Sequence, residues 1–199
     1  TTASAAVAKT LALSIEKGLG DFSRKTVTIL AGTGPVGQVA ARLYAMEGGN
    51  VIVTSREQKR ATEVASKINE EIGAEKAYGA QANAPDEVAE VVRKADIVLS
   101  AGAAGIQLLP LNVLKDYGKR CKVVADINAV PPVGVEGLKP TDDGVEFLPG
   151  IWGIGALAIG PFKSKIEGEL FKKAVESPKG ILDHKVAYEI AKLMVLSAA

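Results

Sequence analysis

The sequence predicts an α/β fold, a doubly wound and mostly parallel six-stranded sheet with helices on both faces. Short apolar runs alternate with longer amphipathic segments along the 199 residues. This alternation is typical of parallel strands joined by right-handed helical crossovers. The first buried run also stops in the glycine pattern AGTGPVG at 31–37, which joins a strand to the start of a helix.

The leading segment, residues 1–20, is predicted to contain a helix over 4–17, because Val7, Leu11 and Ile15 recur at helical spacing before a glycine pair. Continuous apolar runs bounded by turn residues predict the six strands, at 26–31, 51–54, 77–82, 96–102, 122–129 and 145–150. Helical periodicity predicts the helices between them, at 35–47, 57–72, from Pro85 to the fourth strand, and 108–117.

The C-terminal segment, 161–199, is predicted to form two helices near 162–176 and 184–196, joined by Ser177-Pro178-Lys179-Gly180. A chain of this length is ordinary for one α/β domain and short for two. We therefore expect a single dinucleotide-binding domain over 1–199.

The glycine pattern is the first candidate site. Gly32 allows a tight turn, Gly34 lets the backbone approach a pyrophosphate, and Gly37 lets the helix pack on the strand. Free N–H groups at the helix start would then face an anion. The predicted pyrophosphate site of this Rossmann-type fold comprises Gly32, Thr33, Gly34, Pro35, Val36 and Gly37. Glycine-rich turns also occur where packing alone requires them.

The end of the second predicted strand indicates which dinucleotide binds. NAD sites usually place an acid there, which accepts hydrogen bonds from the ribose 2′-hydroxyl. Here the strand ends in Thr54-Ser55-Arg56, with Lys59 one helical turn on. Ser55, Arg56 and Lys59 would bind a 2′-phosphate, so NADP is the predicted cofactor. In the alternative interpretation Ser55 caps the next helix and the two cations are solvated.

Three further strand exits are candidates for the nicotinamide side. Ala101, Gly102 and Ala103 leave room for a flat ligand, although loops use small residues for other reasons. Asn128 would hydrogen-bond the cofactor or substrate, or else Asp126 and Asn128 only organise the turn before Pro131. The apolar, glycine-rich run 152–160 would line the pocket, pack internally or contact another subunit.

Composition excludes several functions. Twenty-four basic residues against 23 acidic ones give a net charge of +1, which provides no electrostatic case for nucleic acid or a membrane surface. The single cysteine, Cys121, lies in an apolar run and is predicted to be a buried, inert thiol in a cytoplasmic protein. No metal-binding cluster or nucleophile motif occurs, and the lone His184 is predicted to be exposed or to cap a helix. No catalytic residue is assigned.

With AGTGPVG, SAGAAGIQLLP, ADINAVPPVGVEGL and WGIGALAIG, the chain resembles the bacterial NADP-dependent methylene-tetrahydromethanopterin/methylene-tetrahydrofolate dehydrogenases. The resemblance implies a Rossmann NADP domain, a tetrahydropterin one-carbon carrier as substrate, and homo-oligomers. It also explains the missing acid and base, because the two nitrogens flanking the methylene stabilise the cation left by hydride removal. Lys163 and Lys165 resemble a basic pair that would meet the pterin or its tail; they would otherwise be surface lysines opening a helix.

The beginning of the chain departs from this family. Family members carry a further segment, which supplies much of the pterin site, before the residues that match Thr1-Thr2-Ala3. We therefore expect a fragment or a stand-alone relative, in which NADP binding is a safer expectation than turnover. Two alternatives stay open: a shikimate-type dehydrogenase, which would need a catalytic Lys–Asp pair from that segment, and an NADP-binding module without catalysis.

Overall fold

A computed structural model describes residues 1–176 and 180–197. The predicted connection at 177–180 lies outside these residues except for Gly180. The strands are β1 Thr26–Leu30, β2 Asn50–Ser55, β3 Ala77–Gln81, β4 Ile97–Ser100, β5 Val123–Asp126, β6 Asp143–Leu148 and β7 Ile151–Ile154. The helices are α1 Thr2–Glu16, α2 Pro35–Met46, α3 Gln58–Ile72, α4 Pro85–Lys94, α5 Leu111–Tyr117, α6 Ala156–Glu176 and α7 His184–Leu196.

The seven strands form one sheet in the order β3-β2-β1-β4-β5-β7-β6. All neighbouring pairs are parallel except β6 and β7, which pair antiparallel with two shifts of register. The predicted α/β fold is confirmed. The predicted number of six strands is corrected to seven, because Ile151–Ile154 forms β7 between β5 and β6.

Helices cover both faces of the sheet. On one face α1, α2, α3, α6 and α7 contribute to a large apolar cluster, and on the other α4 and α5 pack in a smaller one. The alanine-rich α1 is buried on almost all sides, because its small side chains let α2, α6 and α7 approach closely. Of its three predicted apolar markers, Val7 and Leu11 are buried while Ile15 is exposed.

The glycine-rich run at 152–160 forms regular structure. Gly153 lies in β7, where an added Cβ would be 2.2 Å from the Leu138 side chain, so close packing requires the glycine. Gly155 then approaches the backbone of Lys139 and Pro140 equally closely. Helix α6 begins at Ala156, six residues before the predicted start, and continues through Pro161. None of the helices in the described part of the chain is long and apolar enough to cross a bilayer.

Candidate dinucleotide-binding site

The glycine turn lies between the carboxyl end of β1 and the start of α2. Gly34 is the N-cap of α2 in an extended conformation (φ −75°, ψ 167°), and Pro35 occupies the first helical turn. No side chain caps this helix among the described residues. The N–H groups of its first turn are therefore available to a ligand, and the helix dipole favours an anion there.

The three glycines have different surroundings. A Cβ at Gly37 would lie 2.7 Å from the Gly32 Cα, and one at Gly32 would lie 2.9 Å from the Ile29 carbonyl oxygen. These two positions therefore require glycine for packing between turn and helix. A Cβ at Gly34 would meet only the Ala31 and Ala101 carbonyl oxygens, at 3.6 and 4.0 Å. Protein packing therefore permits a side chain at 34, and the space beside it is open.

A cavity of about 540 Å³ opens beside this turn, at the carboxyl edge of the sheet. Its size is in the range of small-molecule and cofactor sites. Nine residues predicted from the sequence line it: Thr33, Gly34, Pro35, Val36, Ser55, Arg56, Ala101, Gly102 and Ala103. The structure therefore brings together three of the predicted strand exits. Gly32, Gly37, Lys59 and Asn128 do not line the cavity.

The basic end of the cavity is formed by the exit from β2 and the start of α3. Arg56 and Arg60 both line it, and both are exposed. Neither guanidinium forms an ion pair with another described residue. The described lining contains no carboxylate. This end of the cavity therefore suits a phosphate, which two guanidinium groups can bind through several hydrogen bonds.

Sequence reasoning selected Lys59 and missed Arg60. Helix α3 begins at Gln58, so Lys59 and Arg60 are consecutive residues of its first turn and point in different directions. The spacing of four residues from Arg56 was the only available signal for Arg60. Ser55 is not the cap of α3, because the N-cap is Glu57; the Ser55 hydroxyl instead accepts the Glu57 N–H at 3.3 Å.

The other end of the cavity is apolar. Besides Ala101, Gly102 and Ala103, its lining includes Ile106, Leu108 and Ile127, which sequence reasoning missed. A Cβ at Gly102 would lie 2.6 Å from a Leu108 methyl group, so this glycine allows the loop to fold over itself. Small and apolar residues at this end leave room for a flat ring.

Asn128 is buried and organises the loop behind this apolar end. Its Oδ1 accepts N–H groups of Val130 at 2.9 Å and Gly105 at 3.3 Å, and its Nδ2 donates to the Pro132 carbonyl at 3.0 Å. The Asp126 carboxylate accepts the Asn128 N–H at 3.0 Å. Burial raises the pKa of this carboxyl group, and its hydrogen bonds partly offset that effect. Of the two interpretations of Asn128, the geometry matches the turn-organising one.

Lys163 and Lys165 lie on α6 and do not line this cavity. Lys163 pairs with Glu167 at 3.4 Å within the same helix. Lys165 lines a separate cavity of about 460 Å³, together with Lys9, Asp143 and Phe162. Because the two lysines are two residues apart, they point to different sides of α6. The structure does not bring them together.

The remaining sequence-based expectations concern single residues. Cys121 is buried as predicted, and burial raises the pKa of its thiol to about 12. Its inertness stays a prediction. His184 is half-buried and begins α7, whose cap is the neighbouring Asp183, so the prediction that His184 is exposed or caps the helix is wrong. No group of three potential metal ligands occurs within 1–176 and 180–197.

Comparison with known proteins places these features in a family. A family model described as shikimate/quinate 5-dehydrogenase matches residues 12–139. Two curated relatives come from Methylorubrum extorquens AM1. The bifunctional protein MdtA is 37% identical over 98% of this chain, and the NAD(P)-dependent methylenetetrahydromethanopterin dehydrogenase is 32% identical over 86%. The chain spans 65% and 58% of the length of these relatives.

Two solved structures are similar in fold. Quinate dehydrogenase from Corynebacterium glutamicum in complex with NAD has a TM-score of 0.55 at 18% identity, covering 96% of this chain and 61% of that one. Shikimate 5-dehydrogenase from Listeria monocytogenes in complex with shikimate and NAD has a TM-score of 0.52 at 17% identity, covering 94% and 62%. At these identities the similarity shows the Rossmann-like fold alone. The shikimate/quinate 5-dehydrogenase family model matches well over half of this chain, so the chain belongs to that family.

Proposed function

We propose that this chain binds NADP in the cavity between the glycine turn and the β2 exit. The observation that carries the proposal is the pair Arg56 and Arg60, with Ser55, in a lining without a carboxylate. A ribose 2′-phosphate is the part of NADP that distinguishes it from NAD, and it is an anion that this end of the cavity suits. The relative named as an NAD(P)-dependent dehydrogenase supports a nicotinamide cofactor.

Each part of the site has a task in this proposal. The N–H groups at the start of α2 bind the pyrophosphate, with the open side of Gly34 allowing close approach. Arg56, Arg60 and Ser55 bind the 2′-phosphate, and Lys59, which does not line the cavity, contributes only the long-range attraction of its charge. The apolar end, from Ala101 to Ala103 with Ile106 and Leu108, holds the nicotinamide. Bound NADP would supply the carbon that accepts or donates a hydride.

We further propose a methylene-tetrahydropterin, based on tetrahydromethanopterin or tetrahydrofolate, as the substrate. The support is the name of one relative, methylenetetrahydromethanopterin dehydrogenase, together with the lining itself. Among the described residues that line the cavity, the only titratable side chains are Arg56 and Arg60 at the basic end. The lining therefore offers no general acid or base at the apolar end. Hydride removal from a methylene between two nitrogens needs none, and alignment of the two rings is then the main task.

Assembly and the pterin contacts belong to the same proposal. Homo-oligomers, and contacts of Lys163 and Lys165 with the pterin or its tail, follow from the resemblance and stay predictions. The two lysines do not line the dinucleotide cavity. They would therefore contact a part of the pterin substrate that lies away from the nicotinamide ring.

The test has a binding arm and a turnover arm. Calorimetry with the purified chain should give tighter binding of NADP than of NAD. The reduction of NADP by methylene-tetrahydromethanopterin or methylene-tetrahydrofolate is then followed in two proteins. One is the chain alone, and the other is the chain fused to the part of the Methylorubrum methylenetetrahydromethanopterin dehydrogenase that lies outside the matched region. Absence of NADPH with both carriers in both forms would reject the proposed reaction.

A shikimate-type dehydrogenase is the second candidate, favoured by the family model. Shikimate and quinate are offered with NADP in the same assay, and reduction of NADP with either would favour this candidate. Tight NADP binding without hydride transfer from any of the four substrates would instead indicate a binding module without catalysis.

A further inference from the structure

Ala31 has an unusual backbone conformation at the entrance to the glycine turn. Its φ is +52°, in the left-handed region that side chains disfavour; among the described residues only Arg24 is another non-glycine residue with positive φ. Ala31 follows the last residue of β1 and lines the cavity. A conformation with a steric cost persists only where its surroundings hold it.

Two hydrogen bonds hold Ala31. The hydroxyl of Thr54, in the neighbouring strand β2, accepts the Ala31 N–H at 3.1 Å. The Ala31 carbonyl in turn accepts the Gly34 N–H at 3.2 Å, within the glycine turn. Thr54 is 1% exposed, and its branched Cβ restricts the rotation of the side chain. The hydroxyl is therefore a fixed acceptor for the strained residue.

Thr54 also connects two parts of the cavity. The next two residues along the chain, Ser55 and Arg56, line its basic end, while Ala31 and Gly34 line the turn. One buried hydroxyl thus ties the exit of β2 to the exit of β1.

We propose that Thr54 is a positioning residue for dinucleotide binding. Its hydroxyl keeps Ala31 left-handed, and so preforms the turn before the dinucleotide arrives. Preforming a binding loop raises affinity, because less ordering accompanies binding. This inference rests on the proposed function, since it concerns the ligand that the turn would hold.

The test compares NADP affinity, measured by calorimetry, in three variants. Thr54→Val keeps the shape of the side chain and removes the acceptor, and we expect roughly five- to tenfold weaker binding, within the range for an unmade hydrogen bond. Thr54→Ser restores the hydroxyl and should bind within about twofold of wild type. Thr28→Val is the matched control: Thr28 is equally buried, but its hydroxyl donates to the Val91 carbonyl in α4, away from the cavity. This control should lose stability and keep its affinity.

Two further variants, Ala31→Gly alone and Ala31→Gly combined with Thr54→Val, isolate the strain. Glycine adopts the left-handed conformation freely, so adding Thr54→Val to Ala31→Gly should weaken binding by less than about twofold. If Thr54→Val alone does not fold, the difference in NADP affinity between Ala31→Gly and the double variant still tests whether the Thr54 hydroxyl acts through Ala31.

Three results would overturn the inference. The first is Thr54→Val binding as tightly as wild type, and the second is Thr54→Ser being as weak as Thr54→Val. The third is a loss from Thr54→Val that is equally large with and without the Ala31→Gly substitution. Wild-type protein that binds no NADP would overturn the proposed function and, with it, this inference.

Discussion

Arg56→Ala and Arg60→Ala should each weaken NADP binding and leave NAD binding almost unchanged. A hydrogen bond to a charged group contributes about 1.5–3 kcal/mol when solvent is excluded. Both guanidinium groups are exposed and lack an ion-pair partner among the described residues, so screening by solvent brings each contribution to the lower end of that range or below it. We expect a loss of about 1–2 kcal/mol for each variant, which is roughly five- to thirtyfold in the dissociation constant.

Lys59→Ala is the matched control for these variants. Lys59 precedes Arg60 on α3 and carries the same charge, but it does not line the cavity. Its removal changes the long-range field alone and should weaken NADP binding by less than about twofold at physiological salt. Calorimetric titrations of each variant with NADP and NAD, at two ionic strengths, make the comparison. Equal losses for both cofactors, or a Lys59→Ala loss as large as that of Arg56→Ala, would refute the assignment.

Three further predictions follow from burial and packing. Gly34→Ala should fold with an almost unchanged melting temperature but bind NADP at least about tenfold more weakly. Gly37→Ala should mainly lower the melting temperature, because the added methyl group overlaps backbone atoms of Gly32. The reverse pattern would contradict the roles given to these glycines. Asn128→Ala leaves two loop N–H groups without their acceptor and should lower the free energy of unfolding, measured with urea, by about 1–3 kcal/mol; an unchanged midpoint would show that the loop does not depend on this amide. Cys121 should not react with iodoacetamide in the folded protein at pH 8. Because the pKa of its thiol is about 12 in the folded protein and lower in the unfolded chain, its contribution to the free energy of unfolding is present at neutral pH and is lost between about pH 8.5 and 12. The free energy of unfolding of Cys121→Ala should lack this part of the pH dependence.

The sequence predicted the glycine turn well because its residues act locally. A strand, a tight turn and a helix start are specified by neighbours along the chain, and Gly37 meets Gly32 as its spacing requires. β7 was missed for the opposite reason. Gly153 is glycine because the Leu138 side chain, distant in sequence, occupies the space of its Cβ. No local pattern distinguishes such a glycine from one in a loop.

The candidate site shows the same division. Arg56 could be predicted because it directly follows β2, and the carboxyl ends of parallel strands meet at the same side of the sheet. The choice between Lys59 and Arg60 depends on where α3 begins and how its first turn faces β2, which residue type does not reveal. Asn128 was a reasonable candidate ligand by position, but its amide is occupied by backbone groups of its own loop. Competition between a ligand and the backbone for one side chain becomes visible only in three dimensions.

The antiparallel strand β6 has a consequence for behaviour in concentrated solution. It is one of the two edges of the sheet, the other being β3, and an edge strand offers unpaired backbone groups with which a strand of another molecule can pair. Two shifts of register interrupt its pairing, and the carboxylates of Asp143 and Glu146 lie along it. Asp143 forms an ion pair with Lys9 at 2.9 Å. An irregular edge that carries charged side chains is a poor template for ordered stacking. This edge of the sheet therefore disfavours the addition of a further strand, through residues that do not line the dinucleotide cavity.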